Sequence, residues 1–147
     1  MWAEEVVVKY IGGRPSTRPQ CWARVLTYAG LWATLGYGYW AIEERSTGTF
    51  AGEAGFADFK RDIAPSMRDV PEIGWALASW AHGRGYATEA IGAVLGWGDA
   101  NLASPRTVCM IEPENAASLR VAQKHRFEQF ESARFNDKPV LFLERYR

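Results

Sequence analysis

Apolar residues recur along this chain at changing periods, and each change of period marks an element. From Trp22 the spacing is helical: Trp22, Val25, Leu26, Ala29 and Trp32/Ala33 fall on one stripe. Ser16-Thr17 upstream, Pro19 and then Gln20 three residues after Thr17 read as a helix start, and Gly36 stops the helix after Leu35. The period then shortens, and Tyr37–Glu44 and Thr49–Phe56 are predicted strands joined by the turn Arg45-Ser46-Thr47-Gly48. Ile73, Trp75 and Leu77 alternate as the next strand, Ile73–Ala78. A glycine segment, His82 to Ala87, leads into a helix reaching about Leu102, with Ala87, Ala90/Ile91, Val94 and Trp97/Gly98 on its packed face. Gly92, Gly96 and Gly98 each cost that helix about 1 kcal/mol against alanine, a cost that close approach to a sheet would offset. Arg106–Ile111 reads as a buried strand, Pro113-Glu114-Asn115 starts a helix to about Lys124, and Phe127–Phe135 and Val140–Arg145 close as a hairpin around Asn136-Asp137-Lys138. Glu5–Tyr10 is a terminal strand or a frayed helical turn, and Ala57–Val70 a loop suited to line a substrate mouth. The order helix, β, β, β, helix, β, helix, β, β predicts one α/β domain over 1–147, a mixed sheet with helices on its faces.

Composition narrows the function. The 147 residues suffice for one full core, and an apolar content of 48% excludes disorder. Lys+Arg and Asp+Glu both number 17, which argues against a nucleic-acid partner held by bulk charge. Val25 to Ile42 carries no charge over nearly the length of a membrane span, but Gly30, Gly36 and Gly38 interrupt it and its second half has strand chemistry, so no membrane partner is expected. Glu4 and Glu5 precede the first apolar run, so no signal peptide is read and a cytoplasmic location is the expectation. Cys21 and Cys109 sit in apolar surroundings without CxxC spacing and read as reduced, buried thiols. Neither histidine has a ligand-spaced partner, and no metal is expected.

Strand, glycine turn and helix start together form an anion site around His82-Gly83-Arg84-Gly85-Tyr86-Ala87-Thr88. Free backbone N–H groups and the helix dipole attract negative charge, and missing side chains let a phosphate approach.

With Glu114-Asn115-Ala116-Ala117-Ser118-Leu119-Arg120-Val121-Ala122-Gln123-Lys124 downstream, this turn resembles the paired motifs of the GNAT superfamily of acetyl-CoA-dependent N-acetyltransferases. Within that superfamily the chain is most similar to the branch containing the ribosomal-protein alanine acetyltransferases, from about Val6 to the C-terminus. The resemblance implies the GNAT fold: a mixed, mostly antiparallel sheet splayed at its central strands, with helices on both faces. It also implies that the diphosphate of coenzyme A rests on the amides of His82–Thr88. The pantetheine arm would run beside Trp75, Ala76 and Leu77, with Asn115 facing it across the wedge.

Departures from the family pattern are informative. His82 stands where glutamine or arginine is usual, and Ala122 where many members place a tyrosine acid, while Ser118 fits a branch that uses serine. Arg126 occupies a usual C′ glycine. The family's first strand and helix have no counterpart, so the domain closes without them or a partner chain fills the gap, a homodimer included.

Acyl transfer to an amine needs a neutral amine, a stabilised oxyanion and a proton for the departing thiolate. A backbone N–H on Trp75–Leu77 is the candidate oxyanion donor. Ser118 is the candidate proton donor or hydrogen bonder, against an ordinary first-turn serine that satisfies backbone. Glu72 is the candidate base, against an exposed strand-end carboxylate, with Glu53, Asp58 and Asp69 in reserve. Asn115 also suits a helix N-cap. The seven tryptophans read mostly as core; for Trp32, Trp40 and Trp80 core or rim is the preferred reading and an acceptor cleft the alternative.

Two rivals stand beside direct acetyl transfer to a primary amine, whether protein N-terminus or small molecule. A Rossmann site fits Gly83-x-Gly85 followed by a helix and Glu112 at the next strand's end, but Thr88 replaces the third glycine and only one βαβ unit is present. A non-catalytic acyl-CoA-binding or interaction domain fits the missing elements and the absent tyrosine.

Overall fold

The computed structural model describes residues 1–147. After a single helical turn, α1 (Glu5–Val8), which buries Val7 and Val8, comes the long helix α2 (Arg18–Leu35). Its start is the capping box anticipated above: the Thr17 hydroxyl accepts from the Gln20 amide at 3.4 Å, and the Gln20 side chain accepts from the Thr17 amide at 2.8 Å. Such caps contribute about 1 kcal/mol.

Six strands form one sheet in the order β1-β2-β3-β4-β6-β5. The strands are β1 (Tyr39–Glu44), β2 (Thr49–Ala57), β3 (Glu72–Leu77), β4 (Arg106–Ile111), β5 (Glu128–Phe135) and β6 (Lys138–Tyr146). Every neighbouring pair is antiparallel except β3 and β4, which are parallel. Asn136 and Asp137, at φ 49° and 61°, make the tight primed turn between β5 and β6.

On one face α3 (Tyr86–Asn101) buries Ile91, Val94, Leu95 and Gly98 against Phe56, Ile73 and Cys109, and α4 (Ala116–Lys124) adds Ala122. Of the α3 glycines, Gly98 is required by packing, since a Cβ there would lie 2.6 Å from the Phe56 ring. Gly96 faces open space, so nothing in this chain offsets its propensity cost. Arg126 does take the left-handed conformation, φ 63°, that the α4 terminus demands. The opposite face is covered by α2 and by the segment between β2 and β3, whose Met67 packs on Val108, Val140 and Phe142.

α2 corrects the sequence reading. Its apolar stripe, Trp32 excepted, points outward, with Trp22, Val25 and Leu26 exposed by 61%, 54% and 54%. Cys21, Arg24, Tyr28, Trp32 and Leu35 turn inward instead. The Tyr28 ring stacks on Tyr39 at 4.4 Å, and the Trp32 indole donates to the Tyr39 carbonyl at 3.1 Å. Helical spacing alone cannot tell which side faces in, and here the sheet beneath α2 is polar. Trp32, Trp40 and Trp97 meet edge to face at 4.8–5.6 Å, so Trp32 and Trp40 build a packing cluster, the preferred reading for both. Cys109 is buried, whereas Cys21 is half-buried. No helix is long and apolar enough to cross a membrane, and the uncharged run is split at Gly36 between α2 and β1.

Candidate active site

The site begins where the ladder fails. β2 and β3 pair through six consecutive residue pairs, but β3 and β4 share one register pair, Glu72 with Val108, and the Val108 amide donates to the Pro71 carbonyl at 3.1 Å. Beyond that point the strands diverge, leaving the β3 edge from Ile73 to Ala76 facing Cys109–Glu112 across a cavity of about 680 Å³. Buried main-chain groups without ladder partners seek a ligand or water.

Past β3 the chain enters a short 3-10 turn, Ser79–Ala81, and then the glycine segment. Gly83 and Gly85 have φ of 72° and 88°, and a Cβ at either would touch nothing within 4 Å. The requirement there is backbone conformation, not space. The α3 ladder opens with Glu89 donating to the Gly85 carbonyl at 3.1 Å, and no side chain caps it, so the first-turn amides point outward at the dipole's positive end. His82 Nε2 lies 2.9 Å from the Leu77 carbonyl, which only accepts, so the ring nitrogen donates and braces the turn. Arg84 pairs with Glu44 at 3.5 Å, lies over Trp80 and Tyr86, and leaves a half-exposed positive charge beside the turn.

The cavity floor is made of side chains from α2, β1, β2 and the following loop. The Tyr28 hydroxyl donates to Glu53 Oε1. Arg61 binds both oxygens of Glu72, Nε at 2.9 Å and Nη2 at 3.1 Å. The Tyr39 hydroxyl occupies the space above Gly74 where any Cβ would stand. Burial, then the charges of Glu72 and Glu53, push the Tyr39 phenol well above its ordinary pKa; burial and Glu53 do the same for Tyr28. Both therefore remain protonated donors at neutral pH.

Of the residues singled out from the sequence, Glu72, Trp75, Ala76, Asn115 and Ser118 line this one cavity. Leu77 and His82–Thr88 do not; Leu77 ends β3, and His82–Thr88 form the turn that follows it. Glu72 is a buried, ion-paired carboxylate, not an exposed one. Asp58 and Asp69 both pair with Lys60 outside the cavity, so the reserves reduce to Glu53. Asn115 Oδ1 accepts from the Ser118 amide at 3.1 Å as the α4 cap, leaving its side-chain amide nitrogen without a protein partner. The Ser118 hydroxyl also has no protein partner, unlike a serine occupied in satisfying backbone.

The acetyltransferase (GNAT) domain model matches residues 1–128. The chain belongs to the GNAT acetyltransferase family. A GnaT-family acetyltransferase structure from Bordetella pertussis is 33% identical, with a TM-score of 0.85 over 96% of this chain and 84% of that one. The uncharacterised Bacillus subtilis protein YkkB is 35% identical over 115 residues, 75% of this chain; the match spans 63% of that relative's length. An aminoglycoside acetyltransferase solved in complex with coenzyme A shares the fold alone, at 16% identity and a TM-score of 0.78 over 99% of this chain and 85% of that one. The expected GNAT architecture, splayed at the central strands with helices on both faces, is the one observed.

Sequence reasoning on this GNAT chain missed the cavity floor: Arg24, Tyr28, Tyr39 and Arg61, with Trp2 from the N-terminal segment. A signal existed for part of it. Arg24 and Tyr28 stand four residues apart, on one face of the helix.

Proposed function

We propose that this chain is an acetyl-CoA-dependent N-acetyltransferase that acetylates a primary amine, on a protein N-terminus or a small molecule, by direct transfer. The single observation that carries this reading is the parting of β3 from β4 after Glu72, in line with a glycine turn whose amides are free. The residues present fit the cofactor: Gly83–Thr88 offer main-chain donors to a diphosphate, the His82 amide being spent on the Ser79 carbonyl, and the open edge at Trp75, Ala76 and Leu77 offers pairing to a pantetheine arm. The unspent amide of Asn115 faces the same cavity.

When bound, acetyl-CoA supplies a thioester. A new nitrogen–carbon bond forms, the carbon–sulfur bond breaks, and the amine's proton ends on the thiol. A β3 amide among Trp75–Leu77 would donate to the acyl oxygen as its charge grows. The free hydroxyl of Ser118 would hydrogen-bond or protonate the departing sulfur. Glu72 would take the amine's proton only by sharing its carboxylate with Arg61; Glu53 is the carboxylate in the cavity with no cation on it.

The ion pair on Glu72 is the observation that favours a second reading, an acyl-CoA-binding domain without turnover. Thiol release from acetyl-CoA with a panel of amines separates the two. Release above background supports the enzyme; a flat assay in which coenzyme A still raises the melting temperature supports the binding domain. Cytoplasmic residence and a homodimer are further parts of the proposal, tested by fractionation and by sedimentation.

A further inference from the structure

Six charged side chains line the cavity: Arg24, Arg61 and Lys138, and Glu53, Glu72 and Glu112. Two pairs neutralise each other, Arg61 with Glu72 at 2.9 Å and Lys138 with Glu112 at 2.8 Å. Arg24 and Glu53 remain, one of each sign, and neither has an ion-pair partner within 4.0 Å. Glu53 is buried and holds only the Tyr28 hydroxyl. Arg24 lies 3.7 Å over the Trp2 ring, and its Nε is buried with no hydrogen-bond partner. The Trp2 indole N–H is buried and unpartnered as well. An arginine in the wall and a carboxylate in the floor, each without a counter-charge, are costly to desolvate unless a ligand brings the opposite charges.

Resting on the acetyltransferase reading, we infer that the acceptor is a zwitterion: an amino acid whose amino group lies against Glu53 and whose carboxylate is held by the Arg24 guanidinium. Arg24 and Tyr28 sit one turn apart on the inner face of α2, about 6 Å along the axis. Tyr28 in turn touches Glu53. Both leftover charges thus line one cavity and flank Tyr28, which suits an amine and a carboxylate borne on one small skeleton. A polycationic acceptor would bring positive charge to Arg24. A protein N-terminus would put a neutral peptide group where the arginine needs an anion. Arg24, Tyr28 and Tyr39 all line this cavity.

The test uses the full chain saturated with coenzyme A. Each of the protein L-amino acids, and the amide of each, is titrated by calorimetry, and acetylation is followed with acetyl-CoA. One or more free acids should bind on the order of ten- to a hundredfold tighter than the matching amide, the range expected for a charge-assisted pair. Arg24→Gln should shrink that preference to about threefold or less, Arg24→Lys should keep part of it, and coenzyme A affinity should hold in both. An amide bound as well as its acid, a preference that survives Arg24→Gln, or no free amino acid bound at all overturns the inference and leaves the acetyltransferase reading standing. Failure of the wild-type chain to bind coenzyme A overturns both.

Discussion

Where β3 meets β2, pairing runs from Glu72 to Leu77; where it meets β4, it stops after Glu72. One strand thus has a saturated edge and an open edge within the interior. The open edge persists because a cavity lies beside it, bounded on the far side by Cys109–Glu112 and α4. The two sides of that cavity are also made of different material. The wedge and the glycine turn present main chain, which recognises any extended chain or phosphate regardless of side-chain identity. The floor presents Arg24, Tyr28, Tyr39, Glu53, Arg61 and Glu72, whose particular charges select a ligand. Main chain holds what a fold family shares, and side chains hold what one member prefers.

The contrast can be broken from the main-chain side first. Gly85→Asp puts a carboxylate where a diphosphate would rest, and repulsion of several kcal/mol should weaken coenzyme A binding by about a hundredfold or more. Gly85 faces open space at φ 88°, so the cost to folding is the left-handed backbone alone, about 1–2 kcal/mol. Calorimetry and a melting curve check the two halves of that statement; unchanged affinity in a folded variant would remove the turn from the site. Ser118→Ala tests the boundary between the two materials. Turnover should fall by roughly a hundredfold while coenzyme A affinity stays level, as steady-state kinetics and titration together report. Equal turnover would take Ser118 out of the chemistry.

Two smaller changes test the scaffold and should leave the contrast intact. Gly98→Ala drives a methyl into the Phe56 ring and should cost about 1–3 kcal/mol in denaturant unfolding. Gly96→Ala, facing open space in the same helix, should stabilise by up to about 1 kcal/mol. The smallest effect concerns pH. Arg145 binds both oxygens of Asp99, at 2.8 and 2.7 Å, tying α3 to β6 and holding the Asp99 carboxyl below its ordinary value of 3.8. A lowered folded pKa gives stability that is present above the unfolded value and is lost as pH falls through the folded one. Unfolding midpoints measured below pH 4 should therefore show a shallower acid loss in Asp99→Asn than in the parent chain.

What could be read from the sequence follows the same division. The capping box at Thr17, the α3 packed face and the Asn136-Asp137 turn are local events, set by residues within a few positions of each other, whereas the left-handed Arg126 was legible only from the glycine the family places there. The glycine turn was legible for the same reason, since Gly83 and Gly85 answer a backbone need that exists before any neighbour arrives. The floor was not. Tyr28 meets Glu53, Arg61 meets Glu72, and Tyr39 overlies Gly74 only after four elements have packed, and no spacing encodes those meetings. α2 misled because its outward face is the apolar one, while its inward face lies on polar ground.

Amide hydrogen exchange on the chain with and without coenzyme A probes the central claim most directly. Slower exchange at Gly83–Thr88 and along Ile73–Leu77, with the β1–β2 hairpin turn around Thr47 unchanged, is the predicted pattern. Protection confined to other segments, or none at saturating coenzyme A, would mean that the parted strands and the glycine turn do not form the cofactor site.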